Sequence, residues 1–414
     1  MGTDESYLST VNYPVAIAAD QMAVDGGHEM CSVLLPRHLL LSVKQKPIPL
    51  TPVTETDNER PSTEATAAAE QKAPELKYTY SGGFRQVLAS LGISLAVTTY
   101  QAGRLCFISS DGKDIFLSAE NYQKAMGLYV HSRGLLLGTR TQVWSFMDVP
   151  QLAKRYFPDE PYDTVYLPQL TYATGDISVH DVVLLDGQVV AVNTAFSCLS
   201  LMSPEYSFVP LWKPKFISKL APEDRCHLNG LALEGGKPRY IAALGETDSP
   251  GGWREHKATG GVIIDMYTNE ILCRGLAMPH APRVYEGDLW VLSSGAGEMG
   301  IVTSHGWEPL ISLPGFLRGL AFAGPYAFVG LSKIREKKTF GGLPIEEKIK
   351  DLKCGIQIVD VRSGAVVGTL EFTELVEEIY DIQILPYRRP KLLGLFQEEQ
   401  YHHIPQTNAM LARR

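Results

Sequence analysis

The chain has 414 residues, is 45% hydrophobic and 20% charged, and carries a formal charge of −8 with a pI near 5.7. It can bury a large core, as one big all-β domain or as two smaller ones. The acidic balance argues against a general phosphate-backbone binder, because that affinity rests on clustered Lys and Arg; neither nucleic acid nor a membrane is expected as a partner.

In chain order, residues 1–42 form a tail whose apolar patch CSVLLPRHLLLSV, interrupted by Pro36, suggests a docking segment or a loosely ordered end. No basic region followed by an apolar core and a cleavage site is present there, and no run approaches the roughly 20 apolar residues that span a bilayer. Residues 43–77 are rich in Pro, Thr, Glu and Ala and are read as a disordered linker, since they bury too little to offset their ordering entropy. Six scattered cysteines (Cys31, Cys106, Cys198, Cys226, Cys273, Cys354) without a CxxC pair point to reduced thiols and a cytoplasmic location.

From Tyr78 to residue 398 short β-rich runs alternate with Gly, Pro, Asp and Asn. One repeat reads as four antiparallel strands: HDVVLL, a DG turn, QVVAVNTAF, CLSLMSP and YSFVPLW. Matching openings follow Met126, His227, His280, Arg318 and Tyr380, at the spacing of propeller blades. The first set, LAVTTYQAGRLCFISSDGKDIFLS, lacks an opening strand, and the C-terminal YDIQILP offers one. The expected fold is therefore an all-β propeller of six blades, closed by strands from both ends, which removes exposed sheet edges. Seven blades is the alternative, because the pairing of KLLGLF is open. Helices are expected only at PIEEKIKDLK and VPQLAKRYF, and residues 399–414 form a tail.

Two long polar loops, Gly245 to Gly261 and Ser332 to Gly355, fall between the second and third strands of their blades. They share a face with the turns into the innermost strands, which marks one functional face.

The wording of APEDRCHLNGLAL, GGWREHKATGGVIIDM, MPHAPRVY, GFLRGLAFAG, FGGLPI and CGIQIVDVRSG resembles a bacterial family of conserved hypothetical propeller-type proteins that carries a domain-of-unknown-function label. The resemblance spans about residues 80–398. It implies the propeller fold and, because members often occur beside or fused to tetratricopeptide-repeat proteins, a partner of that class; it implies no reaction.

The chemistry rests on His180, His227 and His280, read as opening three successive repeats at one relative position. Stacked radially, they would meet at one axis. Three neutral imidazoles with open positions suit zinc, iron, copper or manganese, with Asp181 or Glu378 orienting a ligand or acting as base. A structural belt of histidines and a metal-free ligand site are the competing readings. Asp181, Asn229, Glu378 and Asp381 supply the oxygens for a calcium variant. Arg283 and Arg318 can orient a substrate carboxylate or phosphate, or pair with Glu223, Asp224 or Glu378 across the rim. Trp253, Arg254, Glu255 and His256 lie on a Gly-flanked loop that can act as a lid, His256 serving as ligand only if the loop folds inward. Cys226 beside His227 is a candidate nucleophile or thiolate ligand. GAGEMG lies between strands, the wrong context for a dinucleotide site.

Two functions follow. One is a metal-dependent enzyme that hydrolyses or oxidises a small molecule or a peptide side chain at a histidine-rimmed channel. The other is a non-enzymatic propeller that binds a protein or peptide on its loop-rich face.

Overall fold

The computed structural model describes residues 76–334 and 341–393. The N-terminal tail with its docking segment, all of the linker but its last two residues, and the C-terminal tail lie outside them. The described residues form six sheets, the six blades of a propeller.

Blade 1 joins the C-terminal strand Ile382–Leu385 to Ser94–Thr99, Arg104–Ser110 and Ile115–Asn121. Its inner strand pairs antiparallel with the second, Ser94 opposite Leu385. Blade 2 runs Leu128–His131, Gly134–Gly138, Gln142–Asp148 and Thr164–Ala173, and blade 3 runs Val179–Leu185, Gln188–Asn193, Cys198–Leu201 and Val209–Trp212. Blades 4 and 5 begin at Leu228–Glu234 and Pro279–Tyr285, and blade 6 at Phe316–Ala323. The N-terminal strand Tyr78–Tyr80 covers the outer edge of blade 6 by pairing with Val366–Phe372. Closure thus uses both ends of the chain, and the six-bladed expectation holds. Of the segment KLLGLF that left a seventh blade open, Lys391 and Leu392 lie with Pro390 parallel on the outer strand of blade 2; residues 394–396 lie outside the described residues.

Residues with β-branched and aromatic side chains build the strands, and DG turns such as Asp186–Gly187 join the inner pair, both residues at positive φ (50° and 80°). The apolar faces pack between blades in a series of clusters rather than in one central core. Two expected helices are present as short elements, Pro150–Tyr156 and Pro344–Lys348. A third, Gly82–Leu91, was read as β texture and corrects that reading. Ser81 caps it by accepting from the Phe84 amide at 3.3 Å, Gly92 ends it at φ 67°, and Phe84, Val87 and Leu88 are buried on one face. The cap and stop residues were present in the sequence, and a single turn of apolar spacing was too short to outweigh the neighbouring strands.

The axis is closed by Arg283 of blade 5. Its guanidinium donates to Leu320 O of blade 6 and Leu231 O of blade 4, each at 3.2 Å, and to its own blade at Pro282 O. It lies 3.3 Å from Asp381 Oδ1 at the entry to blade 1 and 3.6 Å from Asp181 Oδ2 of blade 3. The two carboxylates also accept backbone amides of the next blades: Leu128 N donates to Asp381 and Leu231 N to Asp181, both at 2.9 Å. Burial pushes Asp181 up to about 7 against the pull of Arg283, and pushes Asp381 upward as well. Gly127 and Gly319 let neighbouring blades close on these aspartates, since a Cβ on Gly127 would lie 2.6 Å from Asp181 Cα and one on Gly319 would lie 2.8 Å from Ile382 N.

Removing the cation would leave two buried carboxylates facing each other. Arg283→Leu is expected to lower unfolding free energy by about 3–5 kcal/mol in urea denaturation; a loss below about 1 kcal/mol would show that the axis is held elsewhere.

Candidate functional site

The blades enter the axis through one repeated turn. Ser178, His227 and Met278 occupy it in blades 3, 4 and 5, all in the left-handed region at φ 53°, 51° and 50°. Two residues later stand His180, Asn229 and His280. The expectation of three histidines in one register is therefore corrected: His180 and His280 share it, Asn229 completes it in blade 4, and His227 sits one step above, at the turn. A repeat read from spacing alone slipped by two residues, because His227 precedes its strand whereas the other two lie within theirs.

The residues after this register meet their neighbours at the axis: Gly127 against Asp181, Gly230 against Ala281, and Gly319 against Asp381. By the same register Arg318 and Tyr380 take the ring position in blades 6 and 1, and Met126 in blade 2. His180, Asn229, His280 and Tyr380 line a small chamber with Asp181, Arg283 and Asp381 beneath it. It has about 10 Å³ open to the centre of a water molecule, about one water's worth.

Both ring histidines are anchored through Nδ1. His180 Nδ1 lies 2.9 Å from Ser178 O, and His280 Nδ1 lies 2.8 Å from Met278 O and 2.9 Å from Ser294 Oγ. A carbonyl only accepts, so Nδ1 carries the proton and Nε2 keeps its lone pair. Burial, then the neighbouring His227, lowers His180 to about 3; burial, then Arg318, holds His280 well below the usual histidine range.

Above them His227 forms the rim. Its Nδ1 lies 2.8 Å from Asp224 Oδ1, and its ring stands edge-on to His180 at 4.6 Å and 4.4 Å from Trp253. Asp224 also accepts from Trp253 Nε1 at 2.9 Å and from Arg254 Nη2 at 3.2 Å. Burial raises the Asp224 carboxyl, but His227 and the Trp253 N–H outweigh it and leave it below its ordinary value. The carboxylate therefore stays charged, and His227 holds its proton on Nδ1 with Nε2 open. Asp224 was considered only as an arginine partner. Its D-x-x-H spacing to His227 was the available signal, and both residues adopt positive φ, 47° and 51°.

Described residues of both long loops pack together beside this mouth. Trp253 from the first is 1% exposed and packs with Leu343 and Ile345 from the second, and with Met278 and Phe316. His256 is exposed on the same loop and is not among the chamber's residues. Glu378 and Arg318 are buried, Arg318 lying over the rings of Phe316 and Tyr380 at 5.2 and 5.3 Å. Asp181, Asp381 and Arg283 belong to the axial plug, where a guanidinium stands between the oxygens considered for calcium. Cys226 is fully buried, and burial pushes its thiol up to about 12, so it is protonated at neutral pH. Among the described residues no three His, Cys, Asp or Glu side chains converge closely enough to hold a metal ion, and no helix is long and apolar enough to cross a membrane.

A family described as a domain of unknown function, DUF4915, matches residues 82–393. No curated protein matches the chain. Similar solved structures include a protein of unknown function from Bacteroides caccae (11% identity, TM-score 0.45, 71% of this chain and 99% of that one). Others are a chain of a nidogen/laminin complex (9%, 0.43, 72% and 100%) and a putative 6-phosphogluconolactonase from Bacteroides fragilis (11%, 0.38, 71% and 98%).

Because the fold holds the ring histidines neutral, the unfolded chain takes up their protons first, near a pH of about 6.5. Their contribution to stability is present above that pH and is lost as pH falls toward about 3 for His180. Nitrogen-15 NMR at pH 5 is expected to find both rings as the neutral Nδ1–H tautomer; protonated rings at that pH would contradict the assignment.

Proposed function

We propose that this chain, which belongs to the DUF4915 family of proteins of unknown function, is an enzyme acting on a small molecule or a peptide side chain at the histidine-lined mouth of the propeller. His227 is its proton-transfer group and Asp224 the carboxylate that orients it. The observation that carries this is the 2.8 Å contact between Asp224 Oδ1 and His227 Nδ1. A base needs a fixed lone pair and a way to stabilise the cation it becomes. Asp224 supplies both, and Trp253 and Arg254 fix Asp224 in turn.

The reaction class this supports is hydrolysis. His227 Nε2 removes a proton from a water whose oxygen bonds to a carbonyl carbon. The same proton then passes to the leaving oxygen or nitrogen as its bond to that carbon breaks, and His227 returns to its starting form.

A divalent transition metal, zinc, iron, copper or manganese, is the second reading. It is favoured by one observation: His180, His227 and His280 all commit Nδ1 to an acceptor, which is how metal-binding histidines are oriented. Against it stands the lack of convergence of three such ligands among the described residues.

Hydrolysis of p-nitrophenyl acetate and a set of small lactones by the full chain, with and without a chelator, separates the two. The first reading expects a rate that survives chelation and falls about 10²–10⁴-fold in His227→Asn, with a smaller fall in Asp224→Asn. A rate unchanged in His227→Asn contradicts it. A rate abolished by chelator, restored by zinc or manganese, and absent from the variant with alanine at His180, His227 and His280 carries the second.

A further inference from the structure

Two residues that line the chamber carry a polar atom that no other group of the protein satisfies. Asn229 Nδ2 and Tyr380 Oη are buried without a hydrogen-bond partner, in residues only 3% and 7% exposed. Leaving a buried donor unpaired is costly, and native proteins retain few such groups without a reason. Here the two occupy the same ring register and line the same space.

The rest of the lining defines what would fit. The carboxylates below accept backbone amides and face Arg283, so the plug already has its own partners. His180 and His280 have given their only ring proton to carbonyl groups and donate nothing toward the chamber. The donors available are therefore the Asn229 amide and the Tyr380 hydroxyl. The Arg318 guanidinium, 5.3 Å from the Tyr380 ring centre, adds positive charge. With about 10 Å³ open, the chamber takes one non-hydrogen atom, and the rest of its molecule must extend toward the mouth.

We propose that the chamber seats a single oxygen of a carbonyl or carboxylate group of the substrate, with Tyr380 and Asn229 donating to it. This rests on the reading of His227 as the base and names the substrate class for that site, small esters or lactones, with carboxylates as product or competing ligand. The chamber and His227 are linked through His180, which lines the first and stands 4.6 Å from the second. A carbonyl oxygen that gains negative charge as water adds is then met by donors already in place, which is how such charge is stabilised without reorganisation. The same seat holds a carboxylate oxygen at rest.

Formate is the probe, titrated into the full chain against chloride at equal ionic strength, with the nitrogen-15 ring signals of His180 and His280 as readout. Saturable shifts are expected with formate, weakened by about tenfold or more in Tyr380→Phe and in Asn229→Ala. The melting temperature of Tyr380→Phe should be unchanged or raised, because its hydroxyl has no protein partner to lose; a lowered one would mean that the hydroxyl is structural and would overturn its role as donor to the substrate. His227→Asn should bind formate as the wild type does while losing ester hydrolysis. Shifts that never saturate, or formate affinity unchanged in both Tyr380→Phe and Asn229→Ala, would overturn the seat and leave a lone water as the occupant, without touching the role of His227. Hydrolysis retained in His227→Asn while both ring variants lose formate would overturn the base and leave the seat.

Discussion

A single guanidinium on the axis sets the geometry of the rest. Arg283 reaches carbonyls in three blades and two carboxylates that themselves grip the inner strands of neighbouring blades. Six blades held only by side-by-side packing could rotate or splay by small amounts. A buried charge whose partners come from different blades cannot be satisfied unless those blades enter at one height. The plug residues Asp181, Arg283 and Asp381 also line the chamber.

Once the entry height is common, a change of one residue at one register alters what the axis presents. Position by position the ring reads Met126, His180, Asn229, His280, Arg318 and Tyr380. The turn two residues earlier is left-handed in blades 2 to 5, at Lys124, Ser178, His227 and Met278. In blades 3 and 5 the carbonyl of that turn anchors the ring histidine. In blade 4 the turn residue is itself the histidine, and Asp224 takes over as its acceptor. This exchange in one blade lifts His227 to the rim and gives the mouth a group that is oriented yet open.

The propeller was legible because its signals are local and repeated. DG turns, alternating β-branched runs and a missing first strand matched by a spare last one together required closure from both ends. The helix Gly82–Leu91 was not, since its three buried residues span barely more than one turn and its neighbours are strands. The site was half legible. His180, Asn229 and His280 were marked, but their alignment depends on φ values that spacing does not reveal, so His227 was placed in the wrong row. Asp224 reads from sequence only as an arginine partner, because a carboxylate three residues before a histidine is ordinary until both residues turn left-handed. The sequence offers Asp181 and Asp381 as metal-site oxygens and Arg283 as a substrate-orienting cation; their partnership with one another on the axis is set by contacts between blades that no single repeat contains.

The central claim is that Asp224 holds His227 with Nε2 free at the rim while the ring histidines commit Nδ1 to backbone carbonyls. Chemical modification by diethyl pyrocarbonate, followed residue by residue by mass spectrometry in the wild type and in Asp224→Asn, tests this directly. The account predicts that His227 is modified well before His180 and His280, and that the advantage shrinks when Asp224 is replaced. Equal modification of all three, or a His227 indifferent to Asp224, would contradict it.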